Sequence, residues 1–355
     1  MKLTPFSEFE QVEKSQFIEF AGYKLPLYFD SIITEAKETR KICGFFNISH
    51  MGRLSLKGTD AMELINLFVT RNVENIQNFR GIYTLFLNER GGIIDDIIVF
   101  KINETEFFVV CNCINREKNI RWINFWIDKK GLKAELYDLT DSTLSFALQG
   151  PTSSERICDV VGDLFPDTNL KNIKRFWCVK NNDLFISRTG YTGEDGFEVS
   201  LPREYAGKIF AKIKRNAIKL CGLGARDILR LEAGFALWGQ DIDERTTPLG
   251  SHLEKFVDLS KDFIGREMMF ETFEKNKSYL MPLLLDSGIP RSNYMVLKNG
   301  EPVGRVTSGN FSPHLEKGIA FIRCSVKFQE GESLTVSDKK RKFLGKIVNL
   351  PFLKS

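Results

Sequence analysis

Histidine is close to absent from this chain: three occur in 355 residues, His50, His252 and His314, each isolated from the others. A zinc centre built on imidazoles therefore lacks ligands, and a Ser-His-Asp relay has little to draw on. Cysteine is sparse and scattered. Cys43, Cys111, Cys113, Cys158, Cys178, Cys221 and Cys324 form no CxxC and no disulfide-style spacing, which predicts no metal site and fits a reducing cytosol. No run approaches the roughly 20 apolar residues of a membrane helix, and Met1 to Glu10 holds no apolar core of a secretory leader. Excess charge is lacking too. The 50 basic and 46 acidic residues leave +4, too little to imply nucleic acid, although it suits an acidic protein partner. The basic runs Lys208 to Lys219 and Lys339-Lys340-Arg341-Lys342 read as solvated faces and turns.

What the chain does have is Gly91 to Phe100, GGIIDDIIVF, with two carboxylates inside an apolar strand. Ile93, Asp95, Ile97 and Val99 alternate with Ile94, Asp96, Ile98 and Phe100 across its two faces. Whichever face is buried, one aspartate lies among isoleucines, a costly place for an ionised group unless it is hydrogen-bonded. The segments Tyr83–Leu87 and Phe107–Val110 flank it as partners of a three-strand antiparallel meander. The pair is either a charged sheet edge or a polar group aimed into a pocket.

The 355 residues suffice for two or three domains, and the 30 phenylalanines, spread along the chain, read as core filler. Asp60 opens a short helix carrying Leu64, Ile65 and Phe68. Asn115 caps a helix to Lys129, stopped by Gly131. Ser145–Leu148 is a strand. Thr152-Ser153-Ser154-Glu155 is a capping box for a helix to Val161. Helices are expected from about Glu204 to Leu220 and from Ala225 to Leu237, and charged Glu271 to Lys277 reads as a linker. From Tyr279 onward, short strands and turns predict a small β-domain.

Three further clusters carry chemistry. In Arg188 to Glu198, RTGYTGEDGFE, glycines allow tight paths between the strands Leu184–Ser187 and Phe197–Leu201; the spacing fits neither a dinucleotide nor a Walker phosphate loop. Glu198 projects away from Phe197, Val199 and Leu201, as an exposed strand carboxylate or a binding group. In Gly222 to Asp243, Arg226 and Arg230 lie four apart on one helix face, where they are surface residues or carboxylate partners. In Phe45 to Gly52, His50 and Met51 read as core residues.

The order of these segments resembles the aminomethyltransferase family, the T-protein of the glycine cleavage system, over almost the whole chain. The resemblance rests on Phe20-Ala21-Gly22-Tyr23, Ile48-Ser49-His50-Met51, Gly91 to Asp96, Leu148-Gln149-Gly150-Pro151, Arg188 to Glu198, Ala225-Arg226-Asp227, Thr246-Thr247-Pro248-Leu249, Asp262 to Glu267 and Val306-Thr307-Ser308-Gly309. It implies an α+β fold: a three-lobed clover-leaf of antiparallel sheets with flanking helices and a C-terminal β-domain around a central folate channel. The implied lobes are 1–54 with 136–245, 55–135 with 246–275, and a barrel-like 276–355.

The implied enzyme acts in glycine catabolism and one-carbon metabolism. It moves the aminomethyl carbon from lipoylated H-protein to tetrahydrofolate, giving 5,10-methylene-tetrahydrofolate, ammonia and dihydrolipoyl H-protein. A cytoplasmic monomer is expected, with no metal, nucleic acid or membrane. The family's essential aspartate falls on Asp96, which would hydrogen-bond the attacking folate nitrogen or stabilise a cationic one-carbon species. Glu198 matches the pterin-recognising glutamate, whose carboxylate pairs with two adjacent N–H donors. Arg226 is implied as a folate contact paired with Glu198, and Tyr83, Asn112 and Met51 as channel lining. Asn47 stands where the family usually has Asp, and Tyr23 where Trp is common. Two alternatives remain open: a folate-dependent demethylase of a small methylated substrate, and a non-enzymatic folate-binding iron–sulfur assembly factor. Against the second, Lys261 to Glu267 lacks that branch's cysteine.

Overall fold

Burial alternates from Asp95 to Val99 along the aspartate strand, and the meander forms: Arg80–Leu87, Ile93–Asn103 and Glu106–Cys111 are consecutive strands in a computed structural model describing residues 1–338 and 340–354. The sheet continues through Gly52–Lys57 to Glu135–Asp138. The chain divides into two units. One comprises Met1–Asn66, Val73–Tyr83 and Ile97–Asp227; the other Leu67–Asn72, Thr84–Asp96 and Ile228–Ser355.

The first unit also holds a six-stranded sheet in the order Cys178–Asn181, Leu184–Ser187, Gly196–Pro202, Thr143–Gln149, Gly44–Asn47 and Lys219–Cys221. Neighbours are antiparallel except the last pair, which is parallel. The strands Thr143–Gln149 and Gly44–Asn47 are buried throughout. The core between this sheet and the helices Ser153–Val161 and Ala206–Arg215 is rich in phenylalanine: Phe6, Phe45, Phe146, Phe165, Phe197 and Phe210. Phe6 meets Phe45 edge-on at 5.4 Å and 87°, the geometry favoured by the ring quadrupole. Each such ring contributes about 1.5–3 kcal/mol by burial, so the phenylalanine-rich composition is spent here as expected.

In the second unit, Tyr279–Leu285, Lys317–Cys324, Glu301–Ser312, Met295–Lys298, Ser333–Ser337 and Lys342–Ile347 close into a barrel. Leu283, Leu285, Val296, Val306, Ala320, Ile322 and Val336 fill it. The fold is mixed α+β with a closed C-terminal β-barrel, as the sequence predicts.

Several local expectations are corrected. The helix from Ala206 ends at Arg215, and Lys219–Cys221 is a strand. Left-handed Ala217 (φ +50°) breaks the helix, and pairing with Gly44–Phe46 then claims the chain. The next helix runs Leu223–Glu232 and stops before Gly234 (φ +76°), short of Leu237. The charged stretch at Glu271 is no linker but part of the helix Arg266–Lys275. Its Met269 is fully buried against Gly91, where an added Cβ would come within 2.3 Å of the Met269 backbone. Thr152 precedes its helix without forming a capping box, because its hydroxyl donates to the Ile42 carbonyl (3.2 Å). Basic Lys208, Lys212, Lys214 and Lys219 pair with Asp163, Asp163, Glu13 and Asp30. Lys339 of the second basic run lies outside the described residues.

Candidate functional site

The two aspartates part company in the strand. Asp95 is 0% exposed, on the face of Ile93, Ile97 and Val99, whereas Asp96 on the other face is half-buried. The backbone N–H of Asp96 donates to Asp95 Oδ1 (3.1 Å), one of the bonds a buried carboxylate needs. The start of the strand is pinned within the second unit. Trp238 Nε1 donates to the Ile93 carbonyl (2.9 Å), and Ile93 N–H donates to the Thr246 carbonyl (3.0 Å). The Thr246-Thr247-Pro248 segment thus serves to place the aspartate strand.

Glu198 lies on Gly196–Pro202, opposite Ser187 on one neighbour and Ala147 on the other. Thr189 donates to Glu198 Oε2 (2.6 Å), and its hydroxyl also lies 2.7 Å from that of Ser187. This fixes the carboxylate while leaving lone pairs on both oxygens. The glycine-rich connection is wrapped around one side chain, Gln149. A Cβ at Gly190 or Gly196 would fall 1.8 or 2.2 Å from the Gln149 amide, and at Gly196 also 2.6 Å from the Leu148 carbonyl, so a side chain at either position would displace Gln149. Gln149 Nε2 donates to the Thr189 carbonyl (3.1 Å) and Oε1 accepts from Thr192 (2.9 Å). A bidentate Arg188–Asp195 pair (2.8 and 2.6 Å) closes the loop.

That loop presents Tyr191, and the Arg226 guanidinium stacks over its ring at 4.9 Å, a cation–π arrangement. Burial lowers the Arg226 pKa, while the charges of Glu198 and Tyr191 pull it back up. No direct Arg226–Glu198 ion pair forms among the described residues. Instead, Arg226 Nη1 is buried with no hydrogen-bond partner, a costly state for a cationic donor. The helix carrying Arg226 is anchored from below by buried Glu35, which accepts from the N–H groups of Gly222 (2.8 Å), Phe29 (2.6 Å) and Asp30 (3.0 Å). A small cavity lined by Leu25, Pro26, Phe46, Asn47, Cys221 and Arg226 lies alongside.

Met51 and Asn112 flank the same end of two paired strands, since Gly52 lies opposite Cys111. Both are half-buried, as is Tyr83 on Arg80–Leu87. His50 is 2% exposed, edge-on to Phe20 at 5.7 Å. Burial, and then the charges of Arg226 and Arg53, push its pKa down to about 3, so the ring is neutral. It is a core histidine, but its Nδ1 has no partner. Asn47 Nδ2 donates to both Glu10 oxygens (3.0 Å each) and to Thr4 (2.9 Å). An aspartate at position 47 would face the buried Glu10 carboxyl, already pushed up to about 7 by burial. The Asn at position 47 therefore answers a local need.

Sequence reasoning missed Tyr191, Gln149, Thr189 and Glu35 as parts of this arrangement; the tight Gly190 to Gly196 spacing was the one available signal for the first three.

The GCVT N-terminal domain family matches residues 6–261, and the glycine cleavage T-protein C-terminal barrel domain matches 279–354. The chain belongs to the glycine cleavage T-protein family. An aminomethyltransferase of Thermotoga petrophila is 39% identical over 95% of this chain and 93% of its own length. One from Aquifex aeolicus is 38% identical over 99% and 96%. The crystal structure of glycine cleavage system aminomethyltransferase T from Bartonella henselae superposes with a TM-score of 0.92 at 29% identity, covering 99% of this chain and 98% of that one. As a T-protein family member the chain is an aminomethyltransferase-type enzyme. Among the described residues no group of three or more His, Cys, Asp or Glu side chains is placed to hold a metal, and no helix is long and apolar enough to cross a membrane.

Proposed function

We propose that this chain transfers the aminomethyl carbon from the lipoyl arm of H-protein to tetrahydrofolate, yielding 5,10-methylene-tetrahydrofolate, ammonia and dihydrolipoyl H-protein. The observation that carries the folate reading is the buried Nη1 of Arg226 with no hydrogen-bond partner, on a guanidinium within electrostatic reach of Glu198, in a chain 38–39% identical to aminomethyltransferases. A carboxylate fixed by Thr189 matches the paired N–H edge of a pterin. The unmet guanidinium N–H of Arg226 calls for an acceptor such as a ring carbonyl. Tyr83, Asn112 and Met51 line the path of the folate, and Asp96 is the acid group acting at the reacting nitrogen. Preorganised charge of this kind is most effective where water is excluded. The partner is the lipoylated H-protein, and the setting is the cytoplasm.

The test mixes purified protein with aminomethylated H-protein and tetrahydrofolate and measures released ammonia. Release that requires both components is expected. Activity only with a free methylated small molecule would replace this reading with the demethylase one.

A further inference from the structure

A second arginine, Arg53, is buried to 1% exposure, and no carboxylate lies within ion-pairing distance of it among the described residues. An ion taken out of water without a counter-charge costs several kcal/mol on the order-of-magnitude scale, so its N–H groups must be fully engaged. They are. Nε donates to Thr143 Oγ1 (2.8 Å). Nη1 donates to the carbonyls of Ser49 (3.2 Å) and Met51 (2.5 Å). Nη2 donates to the carbonyls of Thr140 (2.6 Å), Thr143 (3.2 Å) and Ser49 (3.2 Å).

Every acceptor is neutral, and they belong to two segments only. One is the 49–51 turn between the strands Gly44–Asn47 and Gly52–Lys57; the other is the 140–143 turn ahead of Thr143–Gln149. The guanidinium fork spans both at once. Lysine, a point charge with three donors at one atom, reaches fewer acceptors. The turn it grips carries Met51 and the buried, neutral His50. We infer that Arg53 is a positioning residue: by clamping the Ser49 and Met51 carbonyls to the 140–143 turn, it sets the Met51 side chain against bound tetrahydrofolate. This rests on the folate reading above. It predicts that Met51 is preset before any ligand arrives.

The experiment labels the seven methionines with ¹³C at the methyl group and assigns Met51 by Met51→Leu. In the ligand-free Arg53→Lys protein, the Met51 resonance is expected to shift or broaden while the other methionines stay in place. Tetrahydrofolate titration should show a dissociation constant raised about tenfold, the scale of a lost charged hydrogen bond. The kcat at saturating folate should change less than about threefold, since ground-state positioning is what is lost. A folded Arg53→Lys protein with an unmoved Met51 resonance and affinity within twofold of wild type would overturn the inference, as would equal disturbance of all the methionines. Should Arg53→Lys fail to fold, Thr143→Val, which removes the Nε contact together with the hydroxyl's donation to the Leu139 carbonyl (2.6 Å), decides in the same way with a smaller Met51 shift expected. A wild-type protein that does not bind tetrahydrofolate would sink the folate reading instead, and the Met51 shift still judges the clamp, because it needs no ligand.

Discussion

Arg226 and Arg230 stand one turn apart on the same helix, yet their surroundings are opposite. Arg230 is 1% exposed and fully answered: its guanidinium donates to Asp241 (2.8 Å), the Phe235 carbonyl (3.1 Å) and Ser308 (2.7 Å). Arg226 has a tyrosine ring beneath it and a buried nitrogen with no partner. The aspartates differ in exposure. Asp95 is closed off and accepts from its neighbour's backbone, while Asp96 is half-buried. Arg230, its bonds completed by its own chain, holds the structure together, whereas Arg226 keeps a buried N–H that a ligand can satisfy.

The contrast can be broken in three ways. Arg230→Met leaves Asp241 buried without its cation, which costs about 3–5 kcal/mol; denaturant unfolding should show that loss, with folate affinity of the folded protein unchanged. A loss below 1 kcal/mol would mean that Arg230 is not the structural member. Arg226→Met should do the reverse. Stability should hold or rise, since an unmet buried donor disappears, and tetrahydrofolate affinity should fall by about 2 kcal/mol, some thirtyfold in a calorimetric titration. Unfolding without a change in affinity would erase the distinction. Glu198→Gln turns one acceptor into a donor against the pterin edge, so affinity should drop about tenfold, near 1.4 kcal/mol, with the rate at saturating folate less affected. Unchanged affinity there rejects the pterin role.

Much of the frame was legible from residue pattern alone. The meander around Asn88 to Gly92, the split of Asp95 and Asp96 to opposite faces, and the β-rich C-terminus all follow from period-two alternation and turn residues. The pairing of Glu198 with the region of Arg226 was reached only through family resemblance, because the two lie on separate segments of the chain and no local signal links them. Non-local packing hid the rest. Lys219–Cys221 reads as the end of a helix until Gly44–Phe46 is there to pair with it. Glu271 to Lys277 reads as a linker until the helix Arg266–Lys275, with Met269 buried at Gly91, takes in most of it. The role of Arg53 depends on carbonyls of residues 140–143, far along the chain, and no spacing rule announces it.

The proposed chemistry depends most on Asp96 as the acting acid, and parallel ammonia-release assays of Asp96→Asn and Asp95→Asn address it directly. Asp96→Asn should lose turnover by about a hundredfold or more, the scale of removing one preorganised electrostatic group, with tetrahydrofolate affinity nearly kept, while Asp95→Asn is milder in rate. Equal losses in the two variants would contradict it.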